Sequence, residues 1–370
     1  MIRNSDAPAV APAFSTVDRE ATEVWLAQFR ADARTEALGY LRRRCAEHLG
    51  HSPLSRELAG RLLDYAARGK YVRSTFAYVG WLCGAADSPA AVRAAASLEL
   101  LHTFALVQDD VMDSSTTRRG VDALHVQAAQ AHRRSGLSGS AERFGESAGI
   151  VLADLCLIWS EQMLRESGLD GAQVRRALES YDSMRTELAA GQLDDLYNDA
   201  RDVPSFATAL DIARRKSGNY TVRRPLEIGA ELAGCEPGLL DRLTGYGTAI
   251  GEAFQLRDDV LGIFGDPALT GKPADDLHAR KASTVVALAD EMADSRQRRD
   301  LRALAGRSTL DRASAERWRQ LIVATGARRE VEIAIEGRYS AAIAILDESV
   351  PERPRLALAT LAQWCTHRSS

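Results

Sequence analysis

LELLHTFALVQDDVMD, residues 98–113, sets Leu100, Leu101, Phe104, Val107 and Val111 at i, i+1, i+4, i+7 and i+11. An α-helix turns about 100° per residue, so these side chains form one apolar stripe. The spacing predicts a helix over 92–113 that buries one face and ends in three aspartates. Similar stripes cover 18–49, 54–67, 71–85, 122–134, 141–167, 171–199, 205–233, 236–263, 284–305, 311–324, 328–348 and 352–367. Ala, Leu, Arg and Glu dominate, β-branched runs are scarce, and no strand alternation, GxGxxG turn or P-loop occurs. Breaks are expected at SPL (52–54), DSP (87–89), SGLSGS (135–140) and GDPALTGKP (265–273), and Pro225 is expected to kink or break its helix. The fold expected is all-α: a Pro/Ala-rich disordered tail over 1–17, then one helical domain over 18–370.

Composition narrows the function classes. The 370 residues are 45% hydrophobic and 26% charged, with a net charge of −4, so no nucleic-acid partner is expected. Cys45, Cys83, Cys156, Cys235 and Cys365 are far apart and never form a CxxC pair, which suits buried thiols in a reducing, cytoplasmic setting. The N-terminus, MIRNSDAPAVAPAF, lacks the apolar core of a signal peptide, and no membrane span is expected.

The aspartates carry the chemistry. His102, Asp109 and Asp113 are seven and four residues apart, which puts all three on one helix face. Two carboxylates at i and i+4 suit Mg²⁺, a hard cation that takes oxygen ligands and is usually completed by water and substrate phosphates. A calcium loop would need DxDxDG spacing, which is absent. A solvated acidic helix end is the plainer alternative for one such cluster. A second cluster, AFQLRDDVLGIFGDPALTGKP (253–273), also ends an apolar-periodic segment, with Gln255, Asp258, Asp259 and Gly262 on one face. Two acidic helix ends can face each other across a bundle, where carboxylate metal sites are built. Basic residues accompany both: Lys70 and Arg73 in GKYVR (69–73), Arg118 and Arg119 after the first cluster, Lys216 in RRKSGNYT (214–221), and Lys272 and Lys281 after the second. Carboxylates for Mg²⁺ beside separate cations for phosphate oxygens describe a site for diphosphates, with one metal-bound and one metal-free anion position.

At these residues the chain resembles the trans-isoprenyl diphosphate synthases, the polyprenyl synthetase family. The ordered elements are GKxxR, ELLHTF (99–104), DDxxD followed by RRG, GQ (191–192), KSGxYT, FQxxDD and GDPxxTGKP, and they cover about residues 60–285. The segment KSGNYTVRRPLEIGAELAG (216–234) and the second motif resemble the bacterial geranylgeranyl branch. The resemblance implies an all-α bundle around a central cavity, a homodimer, and Mg²⁺-dependent head-to-tail transfer between isopentenyl diphosphate and an allylic diphosphate. It implies that Asp109, Asp113 and Asp258 bind Mg²⁺, with Asp110 and Asp259 in support. Arg118, Lys216 and Lys272 would then hold the allylic diphosphate, and Lys70, Arg73, His102 and Arg119 the isopentenyl diphosphate. Gln255 would line the allylic chain.

Phe104 and Ala105, five and four residues before Asp109, are the expected determinants of chain length, favouring a C20 product with C15 as the alternative. Phe104 could equally be ordinary core. Departures from the family pattern are Gly262 at the last position of the second motif, an altered segment around Lys281, Gln108 where His is frequent, and Ser74 in place of the usual Pro. A terpene synthase would share DDxxD but not need Lys70, Arg73, His102 and Arg119, and no NxxxSxxxE run is present. A non-catalytic subunit on this fold is the remaining alternative.

Overall fold

A computed structural model of the chain describes residues 16–199, 203–265, 283–306 and 310–368. The stripes become helices in this order: α1 (Thr16–His48), α2 (Pro53–Ala66), α3 (Val72–Leu82), α4 (Pro89–Met112), α5 (Leu124–Arg134), α6 (Ala141–Arg165), α7 (Gly171–Asp199) and α8 (Phe206–Ala213). A π-helical segment (Arg214–Arg223) follows. Then come α9 (Arg224–Ala233), α10 (Pro237–Phe264), α11 (Thr284–Met292), α12 (Ser295–Ala305), α13 (Arg312–Thr325), α14 (Ala327–Ile345) and α15 (Glu352–His367). Among the described residues the chain is all-α apart from a two-stranded antiparallel hairpin, β1 (Thr117–Arg118) and β2 (Val121–Asp122), which the lack of strand alternation did not foretell. Residues 1–15 of the expected tail lie outside the described residues.

The breaks have local causes. Ser52 and Ser88 accept the backbone N–H of Ser55 and Ala91 at 3.0 and 3.4 Å, and Pro53 and Pro89 follow them at the first helical position. That pairs an N-cap with a residue lacking the amide that would go unsatisfied there. The stripe over 284–305 divides because Asp294 caps α12, with Gln297 closing the box from the other side. Pro225 does not interrupt the helical path. The preceding segment widens to π register, in which the Arg224 N–H reaches the Asn219 carbonyl five residues back.

Contacts divide the chain into two compact units, one of Val24–Ala177 with Gly229–Gly234, the other of Met1–Glu23, Leu178–Ile228 and Cys235–Ser370. In the first, α4 packs along α6, α6 along α5, and α3 along α4. Leu62, Phe76, Leu98, Leu101, Leu124, Met163 and Leu164 are almost wholly excluded from solvent there. Residues Ala94–Leu101 of α4 are buried on all sides, so this helix is central rather than amphipathic through its middle. By length and composition α4 and α6 could each cross a membrane, a test that buried core helices also pass; 61% of the apolar window of α4 is buried in protein, which accounts for its character. In the second unit α10 is the axis, packed by the π segment, α14 and α15. Its core gathers Leu256, Val260, Ile263, Val285, Trp318, Ile322, Val331 and Ile335.

Candidate active site

The first acidic cluster closes α4. The Asp113 N–H donates to the Asp109 carbonyl at 2.8 Å, so their side chains leave the backbone one turn apart. Ser114 then enters the left-handed region, φ 51°. Its N–H bonds the Val111 carbonyl, and the Ser115 N–H bonds the Asp110 carbonyl. These two bonds form a Schellman close with serine where glycine is usual. The chain returns through the β1–β2 hairpin, whose central residues Arg119 and Gly120 have φ of 52° and 75°. Two positive φ values in a two-residue loop are the type I′ geometry.

That turn separates the two arginines. Arg118 Nε donates to Asp110 Oδ1 at 2.6 Å and its Nη2 to Asp109 Oδ2 at 3.0 Å. Asp110 is wholly buried, and its other oxygen accepts the Tyr65 hydroxyl at 2.6 Å. Burial, then the Asp110 charge, pushes the Tyr65 phenol up, so it remains a donor. Asp110 is therefore an anchor for Arg118. Arg119 turns to His102, with Nη2 3.4 Å from Nε2. A guanidinium can only donate, so Nε2 accepts and the imidazole proton sits on Nδ1. Burial, with the positive charges of Arg73, Arg119 and Arg118, holds His102 well below its ordinary value. His102 is thus neutral and steers Arg119.

Arg73 lies in the first turn of α3. Tyr71, the cap residue, has φ 54° and no capping side-chain bond. Glu99 of α4 caps the helix instead, with Oε1 accepting Ser74 N at 3.0 Å and Ser74 Oγ at 2.8 Å. Proline at position 74 would have no N–H to give, which explains this departure from the family pattern. Lys70 is exposed just before α3, and Phe104 and Ala105 are partly buried on α4.

The second unit holds the other candidates. Asp259 is buried and accepts from Gln255 Nε2 at 2.7 Å, Thr284 N at 2.8 Å and Thr284 Oγ1 at 2.5 Å. It fixes the end of α10 to the start of α11. Asp258 is half-exposed and ion-paired with Arg368. Lys216, on the π segment, donates to Asp195 Oδ2 at 2.5 Å. Gly191 lets α7 approach that segment, since a Cβ there would meet the Lys216 nitrogen at 2.7 Å. Lys272 and Lys281 lie outside the described residues.

No group of three His, Cys, Asp or Glu able to hold a metal ion occurs among the described residues. The donors are carboxylate pairs, hard oxygen ligands that leave most of a cation's coordination to water and substrate. That suits Mg²⁺ bound with a diphosphate. Tyr65, Glu99, Thr284, Asp195 and Arg368 escaped sequence reasoning; as partners 21 to 110 residues away they left no local signal.

The model of the family described as polyprenyl synthetase matches residues 56–322. The chain belongs to the polyprenyl synthetase family. It is an enzyme, a trans-prenyltransferase of a family that uses a divalent metal, isopentenyl diphosphate and an allylic diphosphate. The transferase is 29% identical over 307 residues to a (2E,6E)-farnesyl diphosphate synthase of Mycobacterium tuberculosis, covering 82% of this chain and 80% of the relative. It is 28% identical over 316 residues to a geranylgeranyl diphosphate synthase of the same organism, covering 85% and 83%. Its structure is similar to that of a Corynebacterium glutamicum geranylgeranyl pyrophosphate synthase complexed with isoprenyl diphosphate and magnesium. The TM-score is 0.87 at 34% identity, over 92% of this chain and 99% of that one.

Proposed function

We propose that the protein condenses isopentenyl diphosphate head-to-tail with an allylic diphosphate and releases geranylgeranyl diphosphate, using Mg²⁺. The observation that carries this reading is the division of cations by the Arg118–Arg119 turn. One arginine sits on the carboxylates of Asp109 and Asp110; the other joins Arg73 and His102, and among the described residues no carboxylate is hydrogen-bonded to it. A metal-assisted leaving group and a metal-free nucleophile carrier need two such stations.

Asp109, Asp113 and Asp258 would hold Mg²⁺, which when bound draws charge onto the leaving diphosphate and so eases ionisation of the allylic C–O bond. Arg118, Lys216 and Lys272 serve the oxygens of the allylic diphosphate. Lys70, Arg73 and Arg119, the last aimed by His102, hold isopentenyl diphosphate so that its double bond meets the allylic cation. Gln255 lines the allylic chain. A proton then leaves the new chain, with the departed diphosphate as acceptor, so no side-chain base is needed. Water, which would capture the cation, must be excluded while it exists.

The C20 assignment draws support from Phe104 and Ala105 one turn before the aspartates and from the likeness to the Corynebacterium enzyme. The likeness to the mycobacterial farnesyl synthase favours C15 as the second reading. The reading includes a cytoplasmic homodimer. Exposed Val151 and Ile158, seven residues apart on α6, support a face buried between copies, and five cysteines that form no disulfide suit a reducing compartment. The test incubates the protein with Mg²⁺, labelled isopentenyl diphosphate, and dimethylallyl, geranyl or farnesyl diphosphate in turn. A C20 product from each supports the proposal. A C15 end point selects the second reading, and allylic turnover without incorporation contradicts both.

A further inference from the structure

Arg368, the residue just after α15, is only 8% exposed in its side chain although it lies beyond the last helix. Its Nη2 is ion-paired with Asp258. Its guanidinium lies over two aromatic faces, 4.1 Å from the Phe254 centroid and 5.7 Å from that of Trp364. Phe254 and Asp258 are one turn apart on α10, so the ring and the carboxylate together form a seat for a flat cation. The backbone leading to Arg368 is fixed as well. Arg257 Nε donates to the Thr366 carbonyl at 2.7 Å, and Glu332 of α14 grips Arg257 through two bonds of 2.9 and 2.6 Å. Neighbouring α10 residues thus play opposite parts: Arg257 holds the strap, and Asp258 receives what the strap carries.

We propose that Arg368 is the resident counter-ion of Asp258 and competes with the divalent cation for that carboxylate, so that loading this position with metal requires the arginine to leave its seat. The proposal rests on the assignment of Asp258 to Mg²⁺ made above. Its energetic consequence is simple. If the seat is filled nine-tenths of the time, only a tenth of the molecules offer Asp258, and metal affinity there is about tenfold weaker than the carboxylate alone would give. Lysine can pair with Asp258 but cannot lie flat across both rings, so it should hold the seat less well.

The test uses the full chain and Mn²⁺ alone, with free Mn²⁺ followed by electron paramagnetic resonance. Asp109→Asn and Asp113→Asn are introduced together, so that the signal reports on the remaining half. In that background Arg368→Gln should tighten Mn²⁺ binding about five- to tenfold, with Arg368→Lys between it and the parent. Thermal unfolding measured alongside shows whether the variants are folded. Unchanged Mn²⁺ affinity in folded Arg368→Gln, together with weakened binding in Asp258→Asn, overturns the competition and leaves the metal role of Asp258 standing. If Asp258→Asn changes nothing either, the assignment of Asp258 to metal fails and this proposal fails with it.

Discussion

Two residues show how burial decides chemistry here. His102 is held well below its ordinary value of 6.5 by burial first and then by Arg73, Arg119 and Arg118. The unfolded imidazole takes up a proton near that value while the folded one does not, so falling pH favours the unfolded chain. The stability involved is present above about pH 6.5 and drains below it, at up to about 1.4 kcal/mol per pH unit. His102→Gln should flatten the fall in melting temperature between about pH 6.5 and 5, as read by calorimetry; an unchanged slope would assign the acid sensitivity elsewhere. Tyr65 supports Asp110 in a buried pair at 2.6 Å. Tyr65→Phe leaves that carboxylate one donor short and should cost about 1–3 kcal/mol in denaturant unfolding. Neither effect was legible in the sequence. The aspartates and arginines announce themselves by type and spacing, whereas Tyr65 lies 45 residues from its partner and sits in an ordinary helix stripe.

At the level of elements, close approach and turn geometry position the cations. Gly229 of α9 lies against α3, and a Cβ there would fall 1.7 Å from the Ala77 carbonyl oxygen. Backbone cannot yield by that much, so Gly229→Ala should abolish soluble expression or lower the melting temperature severely. Gly60, inside α2 with nothing within 4 Å of its absent Cβ, gives the opposite sign. Gly60→Ala should stabilise by about 0.5–1 kcal/mol through helix propensity alone. Gly191→Ala would press on the Lys216 backbone and should raise KM for the allylic diphosphate while leaving that for isopentenyl diphosphate nearly unchanged. Helix positions were legible because periodic burial repeats every turn. The hairpin was not, since two residues per strand are too few to alternate. The division between α11 and α12 was missed because Asp294 as a cap looks the same in sequence as a surface aspartate within a helix.

Across the whole molecule, two compact units each carry an acidic helix end with its own basic residues. The all-α class and the order of the motifs were readable from stripes and spacing, because both depend on local periodicity and residue type. Product length was not, because the proposed determinant Phe104, a partly buried aromatic on α4, reads equally well as core. Phe104→Ala should lengthen the product beyond C20 on reverse-phase chromatography; an unchanged distribution would return Phe104 to ordinary packing. The proposed division of two diphosphate stations by the Arg118–Arg119 turn is read by steady-state kinetics of Arg119→Gln. KM for isopentenyl diphosphate should rise by about 30-fold or more, as expected for loss of a charged hydrogen-bonding partner, while KM for the allylic diphosphate stays within about twofold. An equal rise in both, or a rise in the allylic KM alone, would contradict it.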